Sequence, residues 1–344
     1  MFTNSRLKYS ICLLLALCVA SCSQQDSKKE ADIQNKAQVG QSNDDKKIRL
    51  ADPTIVYFGD QYYMYGTERP PQKGFPVLVS DDLKNWRIPK QAKNGYALKM
   101  GDHTFGTWGF WAPQVFKHNN QFYITYSADE NIAFAHSDSP FGPFVQNEVR
   151  PLKEGLRQID SFVFRDDDGK LYFYHVRLNK GNHIYVAEIN EDFSSIKEET
   201  LTHAITPQSN TWEDTQKFKS AVVAEGPTLI KHKDTYYLFY STNHFKSEDY
   251  AVGYATSKSP LGPWKRYEKN PIIHRSVIGQ KGTGHGDVLV GKNNQLYYVF
   301  HAHSTDTEVN PRATMIVPIR FKDVGQDEDI VEVDADAAFF PKLK

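Results

Sequence analysis

Asp52, Asp160, Glu225 and His285 are the residues of this chain whose types and spacing could do chemistry together. Each lies eleven or twelve positions before a tyrosine of a recurring strand-like phrase, and Ala112 occupies the fifth such position. Two carboxylates flanking a bond can divide acid and base work between them. One gives a proton to the leaving oxygen and the other takes one from water. A third carboxylate nearby can orient the acid and hold its proton by like-charge repulsion.

The phrases that would position these residues read GDQYYMYG, NNQFYITY, DGKLYFYH, KDTYYLFY and NNQLYYVF. They align on Tyr63, Tyr123, Tyr172, Tyr237 and Tyr297, spaced 60, 49, 65 and 60 residues apart. A period of this size marks a repeat architecture, and a four-stranded propeller blade needs roughly 40–50 residues or more. The segments DPTIVYF, APQVFKH, DSFVFRD, EGPTLIK and HGDVLVG precede the tyrosines and read as the first strand of each repeat. Later parallels, such as VLVSDDLKNW, AFAHSDSPFGPF and GYATSKSPLGPW, read as a third strand, a turn and an approach to an outer strand. The expected fold is all-β, a five-bladed β-propeller, with the five equivalent residues starting the same strand around one axis. How the ring closes does not follow from the sequence.

Glu225 interrupts the apolar run AVVAEGPTLI. A carboxyl there is costly unless it is paired, hydrogen-bonded or protonated, and a protonated carboxyl is what a general acid requires. Asp52, in ADPTIV, and Asp160, in QIDSFVF, are plain alone, since Asp before Pro is often only a turn starter. They gain weight from their equivalence with Glu225. His285, in GTGHGDV, should point into the axial channel, where it could ligate a hard cation or hydrogen-bond a carboxylate. His301 and His303 alternate along one strand, but no further ligands at zinc spacing accompany them. Phe110 and Trp111 crowd the start of the second repeat and are candidates for an apolar sugar platform. Arg312, in NPRATMIV, is the basic residue expected near the sugar hydroxyls.

The chain has 344 residues, a formal net charge of −1 and a pI of about 6.9, which leaves no electrostatic footprint for nucleic acid. Its three cysteines, Cys12, Cys18 and Cys22, all precede the repeats. A disulfide or thiol chemistry in the globular part is thereby excluded. Arg6 and Lys8 precede the apolar run ICLLLALCVA, a secretory pattern that ends in Val19-Ala20-Ser21-Cys22. Small residues before a cysteine resemble a bacterial lipobox. The expected organisation is therefore a lipoprotein signal peptide over 1–22, a flexible polar tether over 23–47 and a catalytic propeller over 48–344. The expected location is the bacterial cell envelope, with the membrane met only through the lipid on Cys22.

ADPTIV, FWAPQV, IDSFVF, VVAEGPTLI, SPFGPF, SPLGPW, GTGHGDV and Arg312 together resemble glycoside hydrolase family 43, the five-bladed propeller glycosidases. The three carboxylates appear in the family's order. The resemblance implies hydrolysis with inversion, with Asp52 as general base, Glu225 as general acid and Asp160 as the residue that tunes and orients the acid. It implies no required cofactor, and a structural calcium in the central channel near His285 in many members. Ala51 stands where the related fructan-hydrolysing propellers carry Asn before the Asp-Pro. The expected substrate is a carbohydrate with a terminal pentose, first α-L-arabinofuranose, with β-xylosidase or galactan-cleaving activity as alternatives. A non-catalytic glycan-binding propeller is the alternative of another class. The complete carboxylate set argues against it, because a binder has no need of an ionisable triad.

Overall fold

Short aromatic and β-branched runs broken by turn residues cannot bury themselves as helices, and the chain resolves them as small antiparallel sheets. The computed structural model describes residues 46–215 and 222–344, and one compact unit runs from Lys47 to Lys344. The expected signal peptide over 1–22 and all but the last two residues of the tether over 23–47 lie outside the described residues.

The sheets are the five blades of a β-propeller. Their innermost strands are Ala51–Phe58, Trp111–His118, Gln158–Arg165, Ala224–His232 and Gly284–Val290, for blades I to V in chain order. Each pairs antiparallel with a second strand that carries the aligned tyrosine, at Val56↔Tyr63, Phe116↔Tyr123, Phe164↔Tyr172, Ile230↔Tyr237 and Leu289↔Tyr297. Blades III, IV and V have four strands in sequence order. Blade II has three, with its fourth reduced to a single bridge, His136↔Val145.

Ring closure, which the repeat could not show, uses both ends of the unit. Lys342–Leu343 lies parallel beside Asn85 and Trp86 at the outer edge of blade I. Ile48 accepts from the Thr314 N–H of blade V at 3.0 Å, and its own N–H donates to Pro341 O at 3.2 Å.

The core is divided in the same way as the sheets, with one apolar cluster at each blade boundary. Tyr65, Phe75, Ile124 and Phe144 fill the I–II boundary, and Phe173, Ile132 and Phe193 the II–III boundary. Tyr174, Leu238 and Tyr240 fill III–IV, Phe239, Tyr298 and Phe300 fill IV–V, and Ile48, Met64, Trp86 and Ile316 fill V–I. Each blade buries both faces against its neighbours, which is how open sheets dispose of their apolar surface in this architecture. The axis is left to whatever the innermost strands begin with.

Candidate active site

In every blade the register slips at the start of the innermost strand: between Ala51 and Thr54, Trp111 and Gln114, Ile159 and Phe162, Glu225 and Thr228, and Gly284 and Asp287. A β-bulge bends the strand and re-aims a side chain. The residues opening the five bulges are Asp52, Ala112, Asp160, Gly226 and His285, all at positive φ, between 44° and 58°. This corrects one equivalence. Glu225 is in register with Ala51, Trp111, Ile159 and Gly284, one residue before the bulge; Gly226 occupies the position assigned to it. The twelve-residue step from Tyr237 overshot by one, because turn lengths between first and second strands differ among blades. Glycine suits the bulge on two counts. Its φ is +58°, and a Cβ there would lie 3.0 Å from the His285 ring.

The shift divides the site into two levels. Asp52, Ala112, Asp160, Gly226 and His285 surround a narrow space of about 20 Å³ on the axis. Above it opens a cavity of about 980 Å³ that Ala51, Trp111, Ile159 and Glu225 line together with Asp52, Asp160, His285 and Arg312. Asp52, Asp160, Glu225, His285, Trp111 and Arg312 therefore share one cavity. Phe110 does not line it. Its ring is fully buried, stacked on Tyr126 with centroids 5.8 Å apart and edge-on to Phe75. The aromatic neighbour of Trp111 at the cavity is Trp108, half exposed, with ring centroids 5.5 Å apart. Two Asp129 oxygens accept the N–H groups of Thr107 and Trp108 and hold that loop.

Asp52 is surrounded by nitrogen. Arg312 Nη1 donates to its Oδ1 at 3.1 Å. His285 Nδ1 lies 3.6 Å and His301 Nδ1 3.3 Å from the same oxygen. Burial works against its ionisation, but Arg312, His285 and His301 outweigh it and hold the carboxyl well below the usual range. Arg312 is thus seated on the carboxylate rather than extended toward open cavity, and its guanidinium lies 4.6 Å over the Phe245 ring. His301, disfavoured as a zinc ligand, belongs to the site in another role. Burial, then Arg312, push its ring down to about 3, so it remains neutral beside Asp52.

Asp160 is the opposite case. Burial, reinforced by the charges of Glu225 and Asp52, pushes its carboxyl up to about 7 against the pull of His285. Its Oδ2 accepts the Gly226 N–H at 3.3 Å and lies 3.7 Å from His285 Nδ1. His285 therefore stands between two carboxylates, and its pKa is raised. Burial opposes the charged ring, but Asp52 and Asp160 prevail. For the calcium expected near this histidine, its own neighbours are the test. Among the described residues no group of three or more His, Cys, Asp or Glu could hold a metal ion. The side chains present do not by themselves make a coordination shell.

Glu225 is held by neutral donors. Tyr250 donates to Oε1 at 2.8 Å and Asn182 Nδ2 to Oε2 at 2.9 Å. The Tyr250 ring stacks on His301 at 5.6 Å and lies so close over Gly284 that a Cβ there would fall 2.3 Å from it. Tyr250, Asn182 and His301 were not among the residues expected at the site. A signal existed for His301 alone: it stands four residues after the aligned tyrosine, where three of the other four blades have the hydroxyls of Thr67, Ser127 and Ser241.

A deep axial cavity with two carboxylates in opposed electrostatic settings can be compared with known proteins. The sequence profile of Glycosyl hydrolases family 43 matches residues 46–326. The chain is 26% identical to the beta-D-galactofuranosidase xynD of Aspergillus niger, over 80% of this chain and 81% of that protein. It is 27% identical to a xylosidase/arabinosidase of Butyrivibrio fibrisolvens, over 73% of this chain and 48% of the other, so it spans about half of that relative. Among solved structures, an endo-1,4-beta-xylanase from Bacteroides thetaiotaomicron superposes with a TM-score of 0.78 at 39% identity, covering 87% of this chain and 98% of that one. A thermostable family-43 glycoside hydrolase superposes with a TM-score of 0.73 at 35% identity, covering 83% and 92%. Profile, relatives and superposed structures agree with the five-bladed ring, and the chain belongs to glycosyl hydrolases family 43 as an inverting O-glycosyl hydrolase.

Proposed function

We propose that the chain releases terminal pentose, first α-L-arabinofuranose, from non-reducing ends, with Asp52 as base, Glu225 as acid and Asp160 as the residue that orients and tunes the acid. The observation that carries these roles is the contrast between two carboxyls in one cavity. Asp52 is kept ionised by Arg312 and His285, so it can take a proton from water. Among the described residues, Glu225 is hydrogen-bonded by two neutral donors, Tyr250 and Asn182. Its partner Tyr250 is a hydroxyl that can donate to the carboxylate or accept from the carboxyl, so it accommodates both states of a group that gives up a proton. Burial and the charge of Glu225 push the Asp160 carboxyl up to about 7, so Asp160 can hold a proton beside the acid before the reaction.

In this mechanism the sugar sits at the bottom of the cavity, and Asp52 directs a water at its anomeric carbon. Glu225 protonates the leaving oxygen, whose aglycone extends past Trp111 and Trp108. The attack is from the face opposite the leaving group, hence inversion. The cavity, about 980 Å³, stands near the top of the usual 300–1,000 Å³ for small-molecule sites. That is room for a leaving sugar beside the terminal one.

The galactofuranosidase is named for a furanoside and the xylosidase/arabinosidase for an arabinoside, which together support arabinofuranose in the cleaved position. A second reading, xylan-directed action, is favoured by the endo-1,4-beta-xylanase at 39% identity. The experiment is hydrolysis of aryl α-L-arabinofuranosides, β-xylosides and β-galactofuranosides, followed by proton NMR in the first minutes. The expected result is turnover of the arabinofuranoside, with the inverted anomer formed first. A retained first product would refute Asp52 as base. Turnover of xylosides alone would replace the substrate and leave the mechanism standing.

A further inference from the structure

Four of the five bulges close in the same way. The N–H of the bulge residue donates across the blade boundary to a side chain on the second strand of the preceding blade. Ala112 donates to Thr67 Oγ1 at 2.9 Å, Asp160 to Ser127 Oγ at 3.0 Å, His285 to Ser241 Oγ at 2.8 Å and Asp52 to His301 Nδ1 at 3.1 Å. Each acceptor pairs, within its own blade, with the residue just before the bulge: Thr67 with Ala51, Ser127 with Trp111, Ser241 with Glu225 and His301 with Gly284. By the same register the fifth acceptor position is Val176, opposite Ile159. Valine has nothing to accept with, and it is fully buried. A buried N–H does not go unpaired. The Gly226 N–H donates instead to Asp160 Oδ2 at 3.3 Å.

We propose that Val176 is a positioning residue of the active site: by withholding an acceptor from the blade III–IV boundary, it leaves the Gly226 N–H to Asp160 and so ties that carboxyl to the backbone next to Glu225. The inference rests on the reading of Asp160 as the residue that orients the acid. The broken repeat is what brings the two carboxyls of blades III and IV into one unit. In the four other blades a hydroxyl or imidazole takes the N–H, and the bulge side chain has no such tie to the next blade's bulge. A hydroxyl at position 176 would restore the common pattern and release Asp160.

The test is Val176→Thr, nearly the same in volume, with Val176→Ala as the control that removes packing and adds no acceptor. For Val176→Thr, kcat on a natural glycoside should fall about tenfold, the worth of one charge-assisted hydrogen bond. KM should hold, and an aryl glycoside with an acidic leaving group should be cleaved almost as fast as by the wild type. Val176→Ala should melt at lower temperature and keep the wild-type dependence on leaving group. Wild-type kcat in Val176→Thr, or a loss in Val176→Ala that depends on the leaving group as the loss in Val176→Thr does, would overturn the proposal. If Val176→Thr does not fold, Val176→Ser offers the same acceptor in less volume. Failure of both to fold while Val176→Ala folds would also overturn it, because the introduced hydroxyl would then have found no N–H. Asp160→Asn separates this from the underlying reading. If that variant keeps full kcat on natural glycosides, the role of Asp160 fails and Val176 falls with it. If it is disabled while Val176→Thr is not, only the assignment of Val176 fails.

Discussion

Asp52 and Glu225 stand one residue apart in the repeat, and that single step gives them opposite surroundings. Asp52 opens a bulge, turns onto the axis and meets Arg312, His285 and His301. Glu225 precedes its bulge, faces the wider cavity and takes hydrogen bonds from the neutral Tyr250 and Asn182. A five-fold repeat would supply five similar positions. Acid–base catalysis needs two dissimilar ones, and displacing one carboxyl by a residue produces them without altering the blades. The lesson is that the chemistry lives in departures from the repeat: the displaced Glu225, the missing acceptor at Val176 and His301 in place of a hydroxyl.

Removing the proposed base should have the largest effect. Asp52→Asn should cost on the order of 10⁴-fold in kcat, on natural and activated aryl glycosides alike, because water is unactivated in both. Glu225→Gln should cost roughly 10³-fold on natural glycosides and far less on aryl glycosides with acidic leaving groups, which need little protonation. Steady-state kinetics on the two substrate types checks the pair, and equal patterns in both variants would erase the distinction between the two sites.

Arg312 sharpens the contrast from the side of Asp52. Against the opposing effect of burial, it is the largest influence holding that carboxyl down. In Arg312→Ala the acid limb of the kcat/KM profile should therefore move to higher pH. An unmoved limb would detach Arg312 from the base.

Asp160 tests the other side through stability. Its folded pKa, about 7, stands above the unfolded 3.8. Its contribution is therefore full below pH 3.8 and is lost as pH rises through about 7. Asp160→Asn, which stays neutral, should gain on the wild type between pH 4 and pH 8 in urea unfolding, and parallel curves would contradict the raised value. The smallest effect on catalysis concerns Cys22. Cys22→Ala should leave the kinetics of the propeller unchanged and shift the protein from membrane to soluble fractions, whereas a wild type already soluble would remove the expected anchor.

Much of this was legible beforehand because a repeat is a local property written five times. The tyrosine phrase marked all five second strands, and the count of blades followed. Asp52, Asp160 and His285 were located to the residue because the bulge lies at a constant distance from the strand pairing. Glu225 was found through its apolar surroundings, although its register was off by one: the sequence does not show how many residues a turn uses before pairing resumes. Phe110 and Trp111 illustrate the same limit. Phe110 stands just before the strand that Trp111 opens, and the crowded aromatics of TWGFWAP did not reveal which lined the cavity and which packed on Phe75 and Tyr126.

The sequence by itself determined the architecture and the kinds of group available at the axis, because hydrophobic alternation, turn residues and period act over a few residues at a time. Only the tertiary structure decided what each group does. Arg312 reaches Asp52 across 260 positions, and Gly226 reaches Asp160 across 66. Tyr250 meets Glu225 from a strand-edge loop that no repeat marks. The ionisation of a carboxyl depends on charges and donors within a few ångströms. Those neighbours are set by how five blades close on one another, which no local stretch of the chain encodes.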